Sequence, residues 1–315
     1  MTQMTTPTAP TIGNDDAQGI LDASTSAPSL HVAGEKGRSG AVRLVNTVVL
    51  VCFLGLITLV VLWPVVHMVA AAFTPGQSIS NLPVVPFSEG LTAEHFTYVL
   101  TQTQYPRWFL NTLIIAVLTT AGTIVFASMG AYIFSRFSFA FKRPFLMSLL
   151  ILNVFPSFVG MVAIYVVLLR IGGLDELWGL VLVYLAGNLP YTTWMVKSYM
   201  DNIPRSLDEA ARLDGASNLR VYWSIILPVA RPILVFLAIT SFTLPWMDFI
   251  FPKMVLRSAE KQTIALGLMS FVSDKHNFFT NFAAGALLVA IPFVIFFVLT
   301  QKMLVSSLAG AAVKE

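Results

Sequence analysis

Six apolar stretches constrain this 315-residue sequence more than any other feature. They lie near Leu44–Phe73, Trp108–Phe134, Phe145–Leu169, Leu177–Met200, Pro232–Phe251 and Phe282–Leu299. Each is close to the roughly 20 residues that a bilayer's hydrocarbon core demands of a helix. Only 11% of the residues are charged and 56% are hydrophobic, against about 25% charged in a typical soluble domain. Such a chain cannot clothe a single core in a polar shell. The fold expected is all-α and integral to a membrane, with six transmembrane helices, because a helix satisfies every backbone group within itself. Pro64, Pro156, Pro190, Pro245 and Pro292 sit in or near these spans and predict kinks. Kinked spans suit a protein with an internal cavity, although they also occur in passive anchors.

Basic residues set the orientation. Lys36, Arg38, Arg43, Arg136, Lys142, Arg143, Lys197, Arg205, Arg212, Arg220, Arg231, Lys302 and Lys314 fall on one side. Arg107, Arg170, Lys253, Arg257, Lys261 and Lys275 fall on the other. Thirteen of the 19 Lys and Arg residues thus mark the side that holds both termini and the segment Asn202–Arg231, and that side is expected to be cytoplasmic. Residues 1–40 are rich in Thr, Ser, Ala and Pro and are expected to be a disordered tail. No cleavable signal peptide is evident. The single cysteine, Cys52, lies in an apolar run, so neither a disulfide framework nor a metal cluster is expected. A net charge of +3 is too small a bias to suggest nucleic acid. Two longer segments, Thr74–Pro106 and Lys253–Asn281, are expected on the external side.

Asn202–Arg231 is a long, predominantly polar interval between two strongly apolar stretches, and it carries the most helix-boundary signals. Ser206 and Glu209 have capping-box spacing, and Gly215 suits a left-handed helix end. Leu207, Ala210, Ala211 and Asp214 share one face of the intervening two turns. A second helix is expected from Ser217 or Asn218 to Leu227, interrupted by Pro228. So short a helix is marginal by itself, which suggests that something else holds it. An ordinary connector between two spans would show the same caps.

A resemblance narrows this. Glu209-Ala210-Ala211, three residues, Gly215, nine residues, then Ile225, one residue, Leu227 and Pro228 resemble the EAA signature of ABC-importer membrane subunits, and Asp214 fits it too. Asn111-Thr112-Leu113, the run Asn153–Tyr165 and the ending Leu304–Glu315 resemble the MalG-type permease subunits of maltose/maltodextrin importers. Trp246-Met247-Asp248-Phe249 resembles a W-N-[DE]-F pattern of sugar permeases, with Met247 a departure. The polar leader before Lys36 departs as well. The resemblance implies the type I importer permease fold over residues 41–315, in a bacterial plasma membrane. It implies a second permease subunit, two cytoplasmic ATPase subunits that carry the ATP and Mg, an extracellular solute-binding protein and an oligosaccharide substrate. Asn202–Arg231 would be the coupling loop, Lys253–Asn281 a loop meeting the binding protein, and the tail 302–315 an insertion between the ATPase subunits. A solvated tail is the plainer alternative.

No phosphate-binding loop, HExxH or G-x-S-x-G motif occurs in the sequence. No catalytic role is expected of the chain, and no cofactor is expected on it. Asp248 is the carboxylate best placed within a span, where a central charge costs about 2.5–3.5 kcal/mol unless it faces protein or water. Capping a helix near the external end, or pairing with Lys253, would satisfy it equally. Asn153, Tyr165, Asn188 and Tyr191 offer groups for a sugar path, or for hydrogen bonds between helices. His67 fits packing better than ligation. Other solutes, such as a polyol or glycerol phosphate, fit the same pattern. An ion-coupled transporter would need more intramembrane charge than Asp248 provides.

Overall fold

The computed structural model describes residues 40–77, 83–154, 157–273 and 277–312. All regular structure among them is helical. The expected tail is therefore outside the described residues up to position 39, as is 313–315 at the other end. Two compact units divide the chain, Met1–Trp63 and Pro64–Glu315. The first is described from Gly40 as part of helix α1 (Gly40–Phe73), and residues 44–63 bury no side chain within it.

The second unit contains α2 (Glu94–Gln102), α3 (Tyr105–Arg136), α4 (Lys142–Val154), α5 (Met161–Ile171) and α6 (Leu177–Asp201). It continues through α7 (Ser206–Leu213), α8 (Asn218–Val229), α9 (Arg231–Met247), α10 (Ile250–Val255), α11 (Ile264–Met269) and α12 (Phe279–Ala312). Its spine is α3 against α6 and α9. Ala127 and Ala131 of α3 are fully buried with Val196 and Met200 of α6 and Leu237 of α9. Small side chains let helices approach closely where surrounding lipid offers no hydrophobic drive.

Among the described residues, three helices are long and apolar enough to cross a membrane: Leu44–Phe73, Tyr105–Arg136 and Phe279–Phe296. A fourth qualifies if α8 and α9, which meet at 77°, form one broken span. By this length-and-composition criterion the described residues do not reach the six expected spans, and several of the expected stretches are broken. The stretch Phe145–Leu169 is two helices, α4 and α5, with a 3-10 turn at Ser157–Gly160 between them. Pro156, in that break, lies outside the described residues. Helix α6 has 25 residues, but Asn188, Thr192, Thr193 and Lys197 dilute its apolar character. The stretch Pro232–Phe251 ends as a helix at Met247 and restarts at Ile250. Pro64, Pro190, Pro245 and Pro292 are all carried inside helices that continue past them.

Both segments expected on the external side contain helix. In the first, His95 of α2 is buried, with Nε2 2.9 Å from the Thr74 carbonyl and Nδ1 2.9 Å from Asn281 Oδ1. The second is a folded cap on the start of α3. Trp108 Nε1 donates to the Ala259 carbonyl (2.9 Å), and Asn111 Nδ2 donates to those of Glu260 (2.9 Å) and Gln262 (3.0 Å). Ile264 N donates to Thr112 Oγ1 at 2.8 Å. Ile264, Leu266, Leu268 and Phe271 are buried, so this segment adds a core the loop reading did not anticipate. The α5–α6 turn clasps the same segment from another side. Asp175, at φ +57°, accepts from Arg257 N (2.8 Å), Ser258 N (2.9 Å) and Ser258 Oγ. Partial burial acts to raise its pKa, but the Ser258 and Arg257 donors and nearby Lys261 outweigh it and hold the carboxyl below its usual value. Lys261 Nζ meets Glu176 Oε1 at 2.7 Å.

Gly267 is where this cap depends on a missing side chain. A Cβ there would stand 2.2 Å from the Trp108 ring. Gly267→Ala is expected to pry α11 off α3, destabilising the protein by about 1–3 kcal/mol, as overpacking does. Limited proteolysis of detergent-solubilised protein should show new cleavage within 256–272. A digestion pattern matching the parent protein would contradict the packing argument.

Candidate functional site

The polar interval that the sequence singled out folds as a short helix, a turn and a widened helix. α7 occupies Ser206–Leu213, but its N-cap is Arg205, and Ser206 forms no cap hydrogen bond. The capping box is not made because the helix starts one residue early and takes Ser206 into its first turn. Gly215 does close it, at φ +80°, with Ala216 N donating to the Ala211 carbonyl at 2.9 Å. This left-handed residue is the position where a Cβ would strain the backbone. Ser217 caps α8, its Oγ accepting from Arg220 N at 3.3 Å. The expected stop at Pro228 does not occur. Tyr222–Ile226 widens into a π-turn and the helix passes through Pro228 to Val229. Proline lacks an N–H and crowds the carbonyl four residues back; the wider turn accommodates both, and the chain bends only at Ala230.

α7 is amphipathic in an unusual sense. Its buried positions are Asp208 and Ala211. Leu207, Leu213, Leu219 and Trp223 are exposed, Leu213 at 89%. Glu209, Ala210 and Asp214 are exposed as well. Ala211 alone of the four face-sharing residues turns inward. Ile225 and Leu227 are partly buried against the α3–α6–α9 core.

What fixes α7 is Arg136, the last residue of α3. Its side chain is 3% exposed, and Nε lies 2.6 Å from Asp208 Oδ2, itself on a carboxylate 6% exposed. Nη1 donates to the Met200 carbonyl at 3.1 Å and Nη2 to that of Ile203 at 3.0 Å. Those two bonds set the plane of the guanidinium, so its Nε–H is not aligned on the carboxylate and the contact with Asp208 is a charge pair. Asp208 Oδ1 has no hydrogen-bond partner. Around this pair, Ser135 Oγ donates to Asp201 Oδ1 (2.7 Å), Lys197 meets Asp201 Oδ2 (2.5 Å), and Arg205 Nη2 reaches the Ser135 carbonyl (3.3 Å). Tyr132 OH donates to the Asn218 carbonyl at 3.1 Å, and the Tyr222 and Ser128 hydroxyls are 2.8 Å apart. Sequence reasoning assigned none of these to a site. Arg136 counts there only toward the orientation, and Asp208 is not singled out.

A second feature is a half-open cleft of about 1290 Å³ among α5, α6, α9 and α10. Asn153, Asn188 and Asp248 line it together with Tyr184 and Met247. Tyr165 and Tyr191 are not among the lining residues: Tyr165 OH accepts from Arg257 Nη2, and Tyr191 is half exposed elsewhere. Most of the wall is Leu, Val, Ile and Ala. Asp248 stands between α9 and α10. Its Oδ1 accepts from Ile250 N at 2.8 Å, and its Oδ2 accepts from the buried Tyr184 hydroxyl at 2.8 Å. The carboxylate therefore caps the restarted helix, and Tyr184, unremarked in the sequence, is its side-chain partner. Asn188 Nδ2 is buried without a hydrogen-bond partner, whereas Asn153 Nδ2 is spent on the Leu149 carbonyl.

Residues 123–309 match the family described as binding-protein-dependent transport system inner membrane component. The chain is 37% identical over 273 residues to the maltodextrin transport system permease protein MdxG of Bacillus subtilis, covering 86% of this chain and 98% of that one. It is 34% identical over 277 residues to the galactooligosaccharides transport system permease protein GanQ of the same organism, covering 87% and 96%. It is 29% identical to MalG of Yersinia pestis over 303 residues, 90% of this chain and 98% of that one. In fold it is similar to a chain of a bacterial ABC transporter involved in the import of alginate, with a TM-score of 0.72 at 20% identity, covering 82% of this chain and 96% of that one. On the matched residues and these relatives, the chain belongs to the family of binding-protein-dependent transport system inner membrane components.

Proposed function

We propose that this chain forms half of the translocation path of an ATP-driven importer for a maltodextrin-like oligosaccharide. ATP hydrolysis takes place in a separate subunit, so the chain is a permease and not an enzyme. The observation that carries the sugar reading is the 37% identity, over nearly the whole of both chains, to a protein named as a maltodextrin permease. In this reading, two cytoplasmic ATPase subunits bind the ATP and Mg, a second permease supplies the other half of the path, and a solute-binding protein delivers the sugar. Both termini and the 202–231 loop face the cytoplasm, as the basic residues indicate.

Within the loop, α7 is the coupling helix. Its outward side chains, Leu207, Ala210, Leu213 and Asp214, offer a low apolar surface with a charged edge to an ATPase cleft. Its inward side is tied to α3 by Arg136, so a push on α7 is passed to the spine. The folded cap at 256–272 is the surface for the binding protein. Asn188 and Asp248 provide polar groups on this chain's side of the path.

A galactooligosaccharide is the second reading, favoured by the relative named for those sugars. ATPase assays of the assembled transporter with its binding protein separate the two. Maltodextrins are expected to stimulate hydrolysis at least severalfold more than galactooligosaccharides or alginate oligosaccharides, and the opposite order would replace the substrate assignment.

Coupling has its own tests. Gly215→Val places a β-branched residue at φ +80° and is expected to abolish uptake at normal membrane abundance. Glu209→Lys, at an exposed position, should do the same through docking alone. Normal transport by both would remove α7 from the coupling role.

Arg136→Ala leaves Asp208 buried and unpaired, a loss of about 3–5 kcal/mol for such pairs. Its expected signature is lower abundance or heat stability together with ATPase activity that no longer follows substrate. The double variant Arg136→Met with Asp208→Leu, which removes both charges, should recover stability; if it is no more stable than Arg136→Ala, the burial argument fails.

A further inference from the structure

Beyond transport itself, one cleft has a chemistry that the permease reading does not use. It lies where α3 turns into α4 and is lined by Ser138, Phe139, Ala140, Lys142, Arg143, Leu146, Met147 and Leu150, with Lys197 from α6. Its volume is about 420 Å³, within the range of sites that hold small organic ligands. We propose that this cleft binds an anionic phospholipid, its phosphate on Lys142 and Arg143 and its acyl chain along Leu146, Met147 and Leu150.

The charges that face the cleft are unequal. Lys197 is neutralised by Asp201 at 2.5 Å. Lys142 gives one of its three N–H groups to the Phe137 carbonyl at 3.1 Å and keeps two. Arg143 is exposed, and no described residue pairs with it. The start of α4, whose first-turn amides carry partial positive charge, adds to the same field. A guanidinium and an ammonium without a carboxylate partner among the described residues therefore line the same cleft.

Directly next to them the surface becomes apolar. Leu146, Met147 and Leu150 follow at helical spacing on α4 and lead away from the charges. Phe141 is 77% and Met147 55% exposed. Two cations at the foot of an apolar strip match a phosphodiester on a hydrocarbon chain. A soluble phosphate would leave the strip unused, and a zwitterionic lipid would bring a choline to the cations. Basic pockets between membrane helices are suited to such headgroups. The cleft lies on the side that the basic residues assign to the cytoplasm, where anionic lipid concentrates in this reading, though its chemistry does not depend on that assignment.

The test uses the assembled transporter in nanodiscs of phosphatidylcholine with or without phosphatidylglycerol, followed by native mass spectrometry of the lipid that stays bound. Phosphatidylglycerol is expected to be retained selectively. Arg143→Gln, an exposed change that leaves the packing intact, should weaken retention on the order of fivefold, and adding Lys142→Gln on the order of twenty-five-fold. Higher salt should weaken it further. Equal retention of phosphatidylcholine, displacement by millimolar inorganic phosphate, or unchanged retention in both variants would overturn the proposal. So would the absence of lipid from the intact assembly, which would mean that a partner subunit covers the cleft.

Discussion

A guanidinium buried at the end of a 32-residue helix is the interaction on which the loop geometry depends. Arg136 is 3% exposed and has little water to solvate it. Burying such a charge alone costs several kcal/mol, so its neighbours must supply what water would have. Two carbonyls do so from the end of α6, Met200 and Ile203, and one carboxylate does so from α7. Because the carbonyls belong to residues at the α6–α7 junction, the same side chain that closes α3 also dictates where α7 begins. A two-turn helix too short to persist alone thus acquires a fixed position without needing the cap that its sequence offered.

The opposite end of α3 is held by different means. At a rise of 1.5 Å per residue the helix is about 48 Å long, and its first turns meet the cap at 256–272 through neutral hydrogen bonds, aromatic packing and an exposed Arg107–Glu260 ion pair at 3.5 Å. Trp108, Asn111 and Thr112 bond three carbonyls and one backbone N–H of that segment, and Trp108 lies over Gly267. One helix therefore joins the loop with the signature to a folded segment at the other end. A buried charge pair does the anchoring at the first, and neutral bonds, shape and exposed ion pairs share it at the second, so salt should act less on the tie to α7 than on the ion pairs of the cap.

Much of this was legible in the sequence, and the parts that were not share a cause. Apolar run length gave the all-helical class, and Gly215 and Ser217 marked helix ends because their local chemistry suffices. The Asn202–Arg231 interval stood out for its polarity. By contrast, Ser206 failed as a cap, Pro228 failed as a stop, and the helices within Lys253–Asn281 left no mark in the pattern. In each case a tertiary contact outweighed a local preference: the anchoring of α7, the π-turn packed on Tyr132 and Ser128, and the Trp108 platform. Arg136, Asp208 and Tyr184 were invisible for a related reason. Each matters through a partner 64 to 72 residues away, and a single sequence does not pair such positions.

In the proposed path, the cleft at Asp248 would limit what one chain can do to a sugar. An oligosaccharide presents hydroxyls all round and needs donors and acceptors to replace water. Here Asp248 is already engaged by Tyr184 and the Ile250 amide, Asn153 by its own helix, and only Asn188 has an uncommitted buried amide. The rest of the lining is mainly aliphatic, and the cleft is open along one side. A wall of this composition resembles a smooth slide more than a binding site. Selectivity would then rest on groups that another subunit brings to the open side. Substitutions at Asn188 or Asp248 would change the rate of passage, or the helix break itself, more than the choice among sugars.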